Sequence, residues 1–121
     1  MGYRSQVVIA IPKELLKKNV SILTDLEGFE IFQTEETYYF SNSHTKWYDE
    51  YEEVKRVMEF VDNNSDDVGF VRIGEESGDT EERGNNYDHE IYVNTSINMP
   101  SSQDVDFKNL KLLFGKSNEK V

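Results

Sequence analysis

The sequence predicts an α+β fold: a mostly antiparallel sheet with two helices on one face, in the order β-α-β-β-α-β-β. Residues 5–11 form an apolar run without helical spacing, residues 51–61 follow a helical apolar period, and several short runs are rich in β-branched or aromatic residues. The chain has 121 residues, which is the length of one domain. We expect that domain at 1–99 and a C-terminal tail at 100–121.

The first strand and the first helix are predicted from the N-terminal quarter of the chain. The run Ser-Gln-Val-Val-Ile-Ala-Ile at 5–11 indicates a buried strand. Pro12 follows it and suits the first turn of a helix, and Gly28 lies just past the end predicted for that helix. One face of this helix would consist of Leu15, Leu16, Asn19, Val20 and Leu23.

A β-hairpin is predicted next. Phe29 and Ile31 belong to one short β-prone run and residues 38–40 to another, with Thr-Glu-Glu at 34–36 between them. Residues 41–45 are polar and are predicted to form a loop.

The second helix has the clearest pattern. Asp49 is predicted to cap it, because Glu52 three residues later completes a capping box. The polar run at 62–67 ends it. Apolar positions follow the 3.6-residue period at Tyr51, Val54, Val57, Met58 and Val61, while Glu50, Glu53, Lys55 and Arg56 face away.

The last part of the domain is predicted to contain two strands separated by a long acidic loop. Residues 68–73 indicate a strand, and 75–90 a loop of a length typical of functional or mobile segments. The β-branched content of 91–97 favours a final strand. Apolar residues between 105 and 114 predict that the tail forms either a last helix or a strand docked on the sheet edge. Ferredoxin-like topology is one of several candidates for this order.

The charge of the chain is acidic and uneven. There are 24 Asp and Glu against 13 Lys and Arg, and residues 26–90 alone hold 19 acidic against 5 basic side chains. Such a field repels nucleic-acid phosphates and anionic membranes, so we expect no direct binding to either. It attracts the basic surface of another protein. The simpler alternative is that the acidic residues only keep the protein soluble and recognise no partner.

No catalytic, metal or cofactor motif is present. The lack of cysteine excludes a disulfide scaffold, a thiolate zinc site and a cysteine nucleophile. Gly69 and Gly74 have the spacing of a phosphate loop, but Glu75 and Glu76 replace its lysine and hydroxyl residue. A calcium loop fails because Asp67 takes the place of the turn glycine. We therefore expect no enzyme, no metal and no cofactor.

Aromatic and acidic residues are the candidates for partner binding. Trp47 and Tyr48 lie just before a predicted helix start, where a ring is often half exposed, and aromatic residues commonly anchor interfaces. The alternative interpretation is that these rings lie in the core, because a small domain also needs bulky residues there. The acidic candidates are Glu50, Glu53, Glu75, Glu76, Glu81 and Glu82.

Arg72 is placed inside an apolar strand. Alternation puts it on the face opposite Val71 and Ile73. Two interpretations remain open: Arg72 pairs with an acidic residue on a solvated face, or it binds an anion or a partner. In the second case Arg4 is the other candidate ligand-binding residue.

Three stretches together resemble a family of small bacteriophage and prophage proteins. They are Met-Gly-Tyr-Arg-Ser at 1–5, Lys-Trp-Tyr at 46–48, and Gly-Phe-Val-Arg-Ile-Gly-Glu at 69–75. The resemblance covers about residues 1–97 and transfers no catalytic residue. It implies a phage-encoded accessory protein in the cytoplasm of the bacterial host cell.

By analogy with other small acidic phage proteins, the expected function is to bind a host protein with a basic surface and to modulate or inhibit it. A defence protein or a nucleic-acid-binding protein would be recognised by imitation of DNA charge. Two alternatives remain: a protein that binds or sequesters a nucleotide-like small molecule, and a virion or assembly component. No apolar run approaches the ~20 residues that span a bilayer, and no signal peptide is expected.

Overall fold

The computed structural model describes residues 3–93, 97–99 and 103–105. Within these residues it has an α+β fold with a six-stranded sheet, a two-stranded sheet and three helices, so the predicted fold class is confirmed. The strands are β1 (Ser5–Pro12), β2 (Glu30–Gln33), β3 (Thr37–Thr45), β4 (Gly69–Ile73), β5 (Thr80–Gly84), β6 (Tyr92–Val93), β7 (Ile97–Asn98) and β8 (Gln103–Val105). The helices are α1 (Lys13–Lys18), α2 (Ile22–Asp25) and α3 (Glu52–Asn63).

The main sheet has the strand order β5-β4-β1-β3-β2-β8, and all neighbouring strands are antiparallel. The connection from β1 to β2 carries α1 and α2 and passes over β3. The connection from β3 to β4 carries α3 and passes over β1. These two interleaved split β-α-β units form the ferredoxin-like arrangement, to which β5 and β8 add one strand at each edge.

The central strand β1 is buried on both faces. Val7, Ile9 and Ile11 pack on the side that carries all three helices, whereas Val8 and Ala10 pack on the other side. That second side is covered by the segment that follows β5, which contributes the buried residues Ile91 and Ile97. Burial on two faces explains why β1 is a continuous apolar run and does not alternate with polar residues.

The predicted first helix is divided into α1 and α2. Asn19 ends α1 with φ −135°, which is outside the helical region. Its side-chain Nδ2 donates to the carbonyl oxygen of Leu15 at 2.9 Å. Gly28 follows α2 with φ +96°, in agreement with its predicted place beyond the helix end. Leu16, Ile22 and Leu23 bring both short helices into the core.

Two local predictions before β4 are corrected by the structure. Residues 41–45 are not a loop, because β3 continues to Thr45 and Ser41 pairs with both Val8 and Glu30. Asp49 is not the helix cap, because α3 begins at Glu52 after Tyr51, whose side chain makes no capping hydrogen bond. A turn closed by the Tyr51 N–H and the Tyr48 carbonyl, at 3.0 Å, precedes the helix.

The acidic stretch at 75–90 is not one long loop, because it contains β5. This strand pairs with β4 in a hairpin, with Arg72 opposite Glu81 and Phe70 opposite Arg83. Its charged sequence is tolerated because β5 lies at the edge of the sheet, where side chains reach water. The strand predicted at 91–97 is replaced, as far as it is described, by the short strands β6 and β7.

The C-terminal tail reaches the opposite edge of the sheet. β8 pairs antiparallel with β2, with Val105 opposite Ile31 and Gln103 opposite Gln33. The rest of the predicted tail, including the apolar residues at 110–114, lies outside the described residues. Among the helices described here, none is long and apolar enough to cross a bilayer.

Candidate functional site

A groove of about 490 Å³ lies between α3 and β5, on the side of the sheet that carries the helices. Val54 and Met58 supply its apolar lining. Val54 is fully buried and Met58 is half-buried against the core. The polar lining is mostly acidic and consists of Asp49, Lys55, Glu59, Asp62, Asn63, Glu81 and Arg83.

Helical and strand periodicities together place these charges. α3 buries Val54, Val57, Phe60 and Val61, which leaves the intervening acidic positions exposed beside the groove. On β5, Arg83 lies directly opposite Phe70, which belongs to the core on the helix side. Because alternate residues of a strand share a face, Glu81 and Arg83 both point towards α3.

A chain of ion pairs runs from this groove along the sheet. Arg83 is bound by two carboxylates, with Nη1 at 2.9 Å from Asp62 Oδ2 and Nε at 2.8 Å from Glu81 Oε2. Arg72 Nε is 3.3 Å from the other oxygen of Glu81, and its Nη2 is 2.7 Å from Asp79 Oδ1. Glu81 therefore joins the two arginines.

Arg72 lies on the face opposite Val71 and Ile73, as predicted, since it is opposite Val7 in the register while both neighbours pack on the second side. Its side chain is only 15% exposed. A further hydrogen bond runs from Nη1 to Ser5 Oγ at 3.1 Å. The hydrogen bond to Asp79 has the largest effect and raises the pKa of Arg72; desolvation opposes it, and the hydrogen bond to Glu81 raises the pKa further. Of the two interpretations left open, the structure shows pairing with acidic residues.

The N-terminal residues close the same cluster. Tyr3 Oη donates to Asp79 Oδ2 at 2.5 Å and accepts from the Glu76 N–H at 2.9 Å. The backbone N–H of Arg4 donates to the Glu75 carboxylate. The pKa of Asp79 is lowered, first by the hydrogen bond from Arg72 and then by that from Tyr3. The hydrogen bond to Asp79 raises the pKa of Tyr3.

Gly74 is the position over which this cluster closes. A Cβ atom there would lie 2.1 Å from Asp79 Oδ2 and 2.3 Å from Tyr3 Oη. These separations are far below van der Waals contact, so any other residue would displace one or both side chains. The hairpin turn and the N-terminal segment therefore keep this arrangement of Asp79 and Tyr3 only while the position has no Cβ.

The two predicted aromatic anchors have different surroundings. Trp47 is half-buried and packs against the core, with its ring 6.0 Å from that of Phe29 and 6.1 Å from that of Phe70. Tyr48 lies against Tyr51, with 5.1 Å between ring centroids. Trp47 thus contributes to the core as well as to the surface.

The structure brings together only part of the predicted acidic set. Glu75, Glu76 and Glu81 lie around the β4–β5 hairpin with Arg4 and Arg72. Glu81 is the member that also lines the groove. Glu50 and Glu53 are exposed at the start of α3, and Glu82 points to the second face of the sheet because it is opposite Val71.

Several residues of this site were not predicted. Glu59, Asp62 and Arg83 line the groove, and Asp79 and Tyr3 complete the ion-pair cluster. The helical period could have indicated Glu59 and Asp62, which share a face of α3. No sequence pattern indicates the contact between Tyr3 and Asp79, because 76 positions separate them.

Tyr87 was also not predicted. Its side chain is 91% exposed, at the tip of the loop after β5. Both sides of this loop are fixed: the Asn85 N–H donates to the Val68 carbonyl at 2.8 Å, and His89 Nε2 is 2.6 Å from the Asp67 carbonyl oxygen. An exposed aromatic ring on a fixed loop is a typical interface anchor.

A second cavity of about 550 Å³ lies beside this loop, and its lining includes Asn86, Tyr87 and Ile91. Asn86 is buried, and its Nδ2 donates to the Phe70 carbonyl at 3.1 Å. Its Oδ1 has no hydrogen-bond partner and lies over Gly69, where a Cβ would approach it to 2.6 Å. The orphaned oxygen therefore lies against the sheet at Gly69.

Comparison with known proteins gives no match: no family model, no curated protein and no solved structure is significantly similar to the chain. Within the described residues, no group of three or more His, Asp or Glu side chains could hold a metal ion. The interpretation of the site therefore depends on its geometry and charge.

Proposed function

We propose that the protein is an acidic interaction protein that binds a basic surface of another protein through the groove between α3 and β5. The observation that carries this proposal is the combination of an apolar floor, the half-buried Met58 and the buried Val54, with a mostly acidic rim. Specific interfaces combine an apolar centre with a polar, solvent-accessible rim. Of the rim residues, Asp49 and Glu59 have no cation within ion-pair distance in the described part of the chain.

The surrounding charge supports a basic partner. Residues 46–84 contain 13 acidic and 5 basic side chains. Four of the five cations are already held by carboxylates: Lys55 by Glu52 at 3.8 Å, Arg56 by Asp25 at 2.7 Å, and Arg72 and Arg83 by the cluster described above. The field outside this surface is therefore negative, and such a field steers a basic surface into contact.

The resemblance to phage and prophage proteins supports a host protein as the partner. Binding would take place in the cytoplasm of the bacterial cell. A nucleic-acid-binding protein is the favoured class, because its basic surface is arranged to neutralise phosphates. Carboxylates placed against that surface would compete with nucleic acid. Binding would then inhibit or modulate the host protein without any catalytic step.

A nucleotide-like ligand at Arg72 receives less support. The guanidinium donates to Ser5, Asp79 and Glu81. A phosphate would have to displace two carboxylates to reach it, and it would meet their repulsion while doing so. We therefore propose the protein partner alone.

The test is capture of partners from bacterial lysate after nuclease treatment, with three forms of the tagged protein. The groove variant Asp49→Lys/Glu59→Lys reverses two rim charges. The control variant Glu35→Lys/Glu36→Lys makes the same change in net charge at the exposed β2–β3 turn. We expect a stoichiometric basic partner with the unmodified protein and the control, and its loss with the groove variant. Equal capture by all three forms, or no partner in any, would overturn the proposal.

A further inference from the structure

Within the described part of the chain, the outer edge of β5 is open to another strand. In the described residues β5 ends the main sheet and pairs with β4 alone. Thr80, Glu82, Arg83 and Gly84 are exposed. An edge strand presents backbone N–H and C=O groups that a further strand can pair with, and several peptide-binding domains use this mode.

The hydrogen bonds at the two ends of the hairpin identify which backbone groups point outwards. The Gly74 N–H donates to the Asp79 carbonyl at 2.7 Å, and the Asn85 N–H donates to the Val68 carbonyl at 2.8 Å. Bonded and non-bonded pairs alternate along an antiparallel ladder, so residues 81 and 83 are bonded to β4. The N–H and C=O of Glu82 therefore point away from β4, at the centre of the open edge.

The side chains of the edge select what can pair with it. Glu82 points to the second face and is exposed, whereas Glu81 points to the helix side and is already bound to Arg72 and Arg83. Within the described residues Glu82 has no ion-pair partner, so it supplies the free negative charge of the edge. A second copy of β5, paired at its centre, would bring the Glu82 carboxylates of the two copies close to each other, and like charges opposite one another destabilise strand pairing. A strand with two adjacent basic residues would place one against Glu82 on the second face and the other on the helix side, beside the groove with its acidic lining.

We propose that β5 accepts an extended basic segment of the partner as an added strand of the sheet. The proposal deepens the proposed function and rests on it, because the segment's side chains on the helix side enter the groove that binds the partner. Main-chain hydrogen bonds to Glu82 supply affinity, and the paired basic side chains supply selectivity.

The probe is the synthetic peptide Thr-Val-Lys-Arg-Val-Thr, titrated into the isotope-labelled protein to about 1 mM. This concentration half-saturates a site whose Kd is about 1 mM. We expect the amide signals of residues 80–84 to shift. N-methylation of the two peptide amides that face β5 should weaken binding roughly tenfold or more, because two main-chain hydrogen bonds are lost while the charge is retained.

Two protein variants separate backbone pairing from charge. Glu82→Pro removes the outward N–H, and proline is tolerated at an edge strand where that group faces solvent. We expect it to weaken binding roughly tenfold, against about two- to fivefold for Glu82→Gln, which removes only the charge. The N-methylated peptide keeps the test valid if Glu82→Pro is poorly folded.

The strand-addition proposal is overturned if the N-methylated peptide binds as well as the parent peptide, or if no signal of residues 80–84 shifts. Either result leaves the groove proposal intact when lysate capture depends on Asp49 and Glu59. If instead capture is insensitive to those two residues while the peptide pairs with β5, the groove proposal fails and the open edge remains a binding site.

Discussion

Arg72 and Asp79 face each other across the β4–β5 turn, with 2.7 Å between Arg72 Nη2 and Asp79 Oδ1. Asp79 also accepts the hydrogen bond of Tyr3, so one carboxylate holds the hairpin to the N-terminal segment. The side chains of Arg72 and Asp79 are 15% and 34% exposed, respectively. Because the pair is partly buried, we expect it to contribute more to the free energy of unfolding than a fully exposed ion pair does.

Asp79→Asn should therefore destabilise the protein. The substitution removes the charge that Arg72 and Tyr3 both use, and we expect the free energy of unfolding to fall by about 1–2 kcal/mol. Urea denaturation followed by circular dichroism measures it. Glu82→Gln, an exposed acid on the neighbouring strand, is the matched control and should change stability by less than about 0.5 kcal/mol. Equal effects of the two substitutions would contradict a structural role for the pair.

The contribution of Asp79 should depend on pH. Hydrogen bonds from Arg72 and Tyr3 lower its pKa in the folded state below its value in the unfolded chain. The stabilisation is therefore fully present above the unfolded pKa of about 3.9, and it is lost as pH falls through the folded pKa. The stability difference between the unmodified protein and Asp79→Asn should be constant from about pH 5 to 7 and shrink below about pH 4. Urea denaturation of both proteins across this range checks the sign, and a difference that grows in acid would contradict it.

Gly74→Ala should act on the same cluster. Its Cβ would lie 2.1 Å from Asp79 Oδ2, so the carboxylate or the Tyr3 ring must move. We expect a loss of about 1–2 kcal/mol, from weakened hydrogen bonds. Because the cluster is already broken in Asp79→Asn, the two effects should not add in the double variant. Additive losses, measured by the same denaturation, would show that Gly74 acts elsewhere.

Trp47 and Tyr48 should differ in their effect on stability. Trp47 packs against both Phe29 and Phe70, whereas Tyr48 has Tyr51 as its aromatic neighbour. We expect Trp47→Ala to cost about 2–4 kcal/mol and Tyr48→Ala about 1 kcal/mol. Thermal unfolding of both variants makes the comparison. Comparable melting temperatures would mean that the Trp47 ring contributes little to the core and is available as a surface anchor.

Binding of a basic partner should weaken as salt increases. Exposed charges are screened over about 10 Å at 0.1 M ionic strength and over about 3 Å at 1 M. The amount of partner captured at equal protein concentration should fall steeply across that range. The control variant Glu35→Lys/Glu36→Lys should show the same dependence as the unmodified protein. Capture that is independent of salt would remove the electrostatic part of the proposal.

The sequence predicted the elements whose apolar pattern is strong. The run at 5–11 becomes β1, the aromatic residues at 38–40 lie in β3, and the helical period becomes α3. β5 was missed because Glu81, Glu82 and Arg83 have little preference for a strand. That strand is specified by partners distant in sequence, namely the backbone of β4 and the arginine opposite Glu81.

The candidate site was predictable only in its overall charge. Local patterns indicated an acidic surface and an unusual arginine, Arg72. They did not indicate that Tyr3 and Asp79 meet, or that α3 and β5 enclose a groove, because both depend on how the sheet is assembled. Residue type alone also could not distinguish an aromatic anchor from a core residue, and Trp47 illustrates this.

The double burial of β1 has a consequence for the order in which the chain opens. Amide hydrogens exchange with water only where the structure opens locally, and edge strands open more easily than central ones. Water reaches the backbone of Val8 or Ile9 only after β3 or β4 separates from β1. We therefore expect β1 to exchange more slowly than the edge strand β5, which can open many times while β4 stays paired and β1 stays closed.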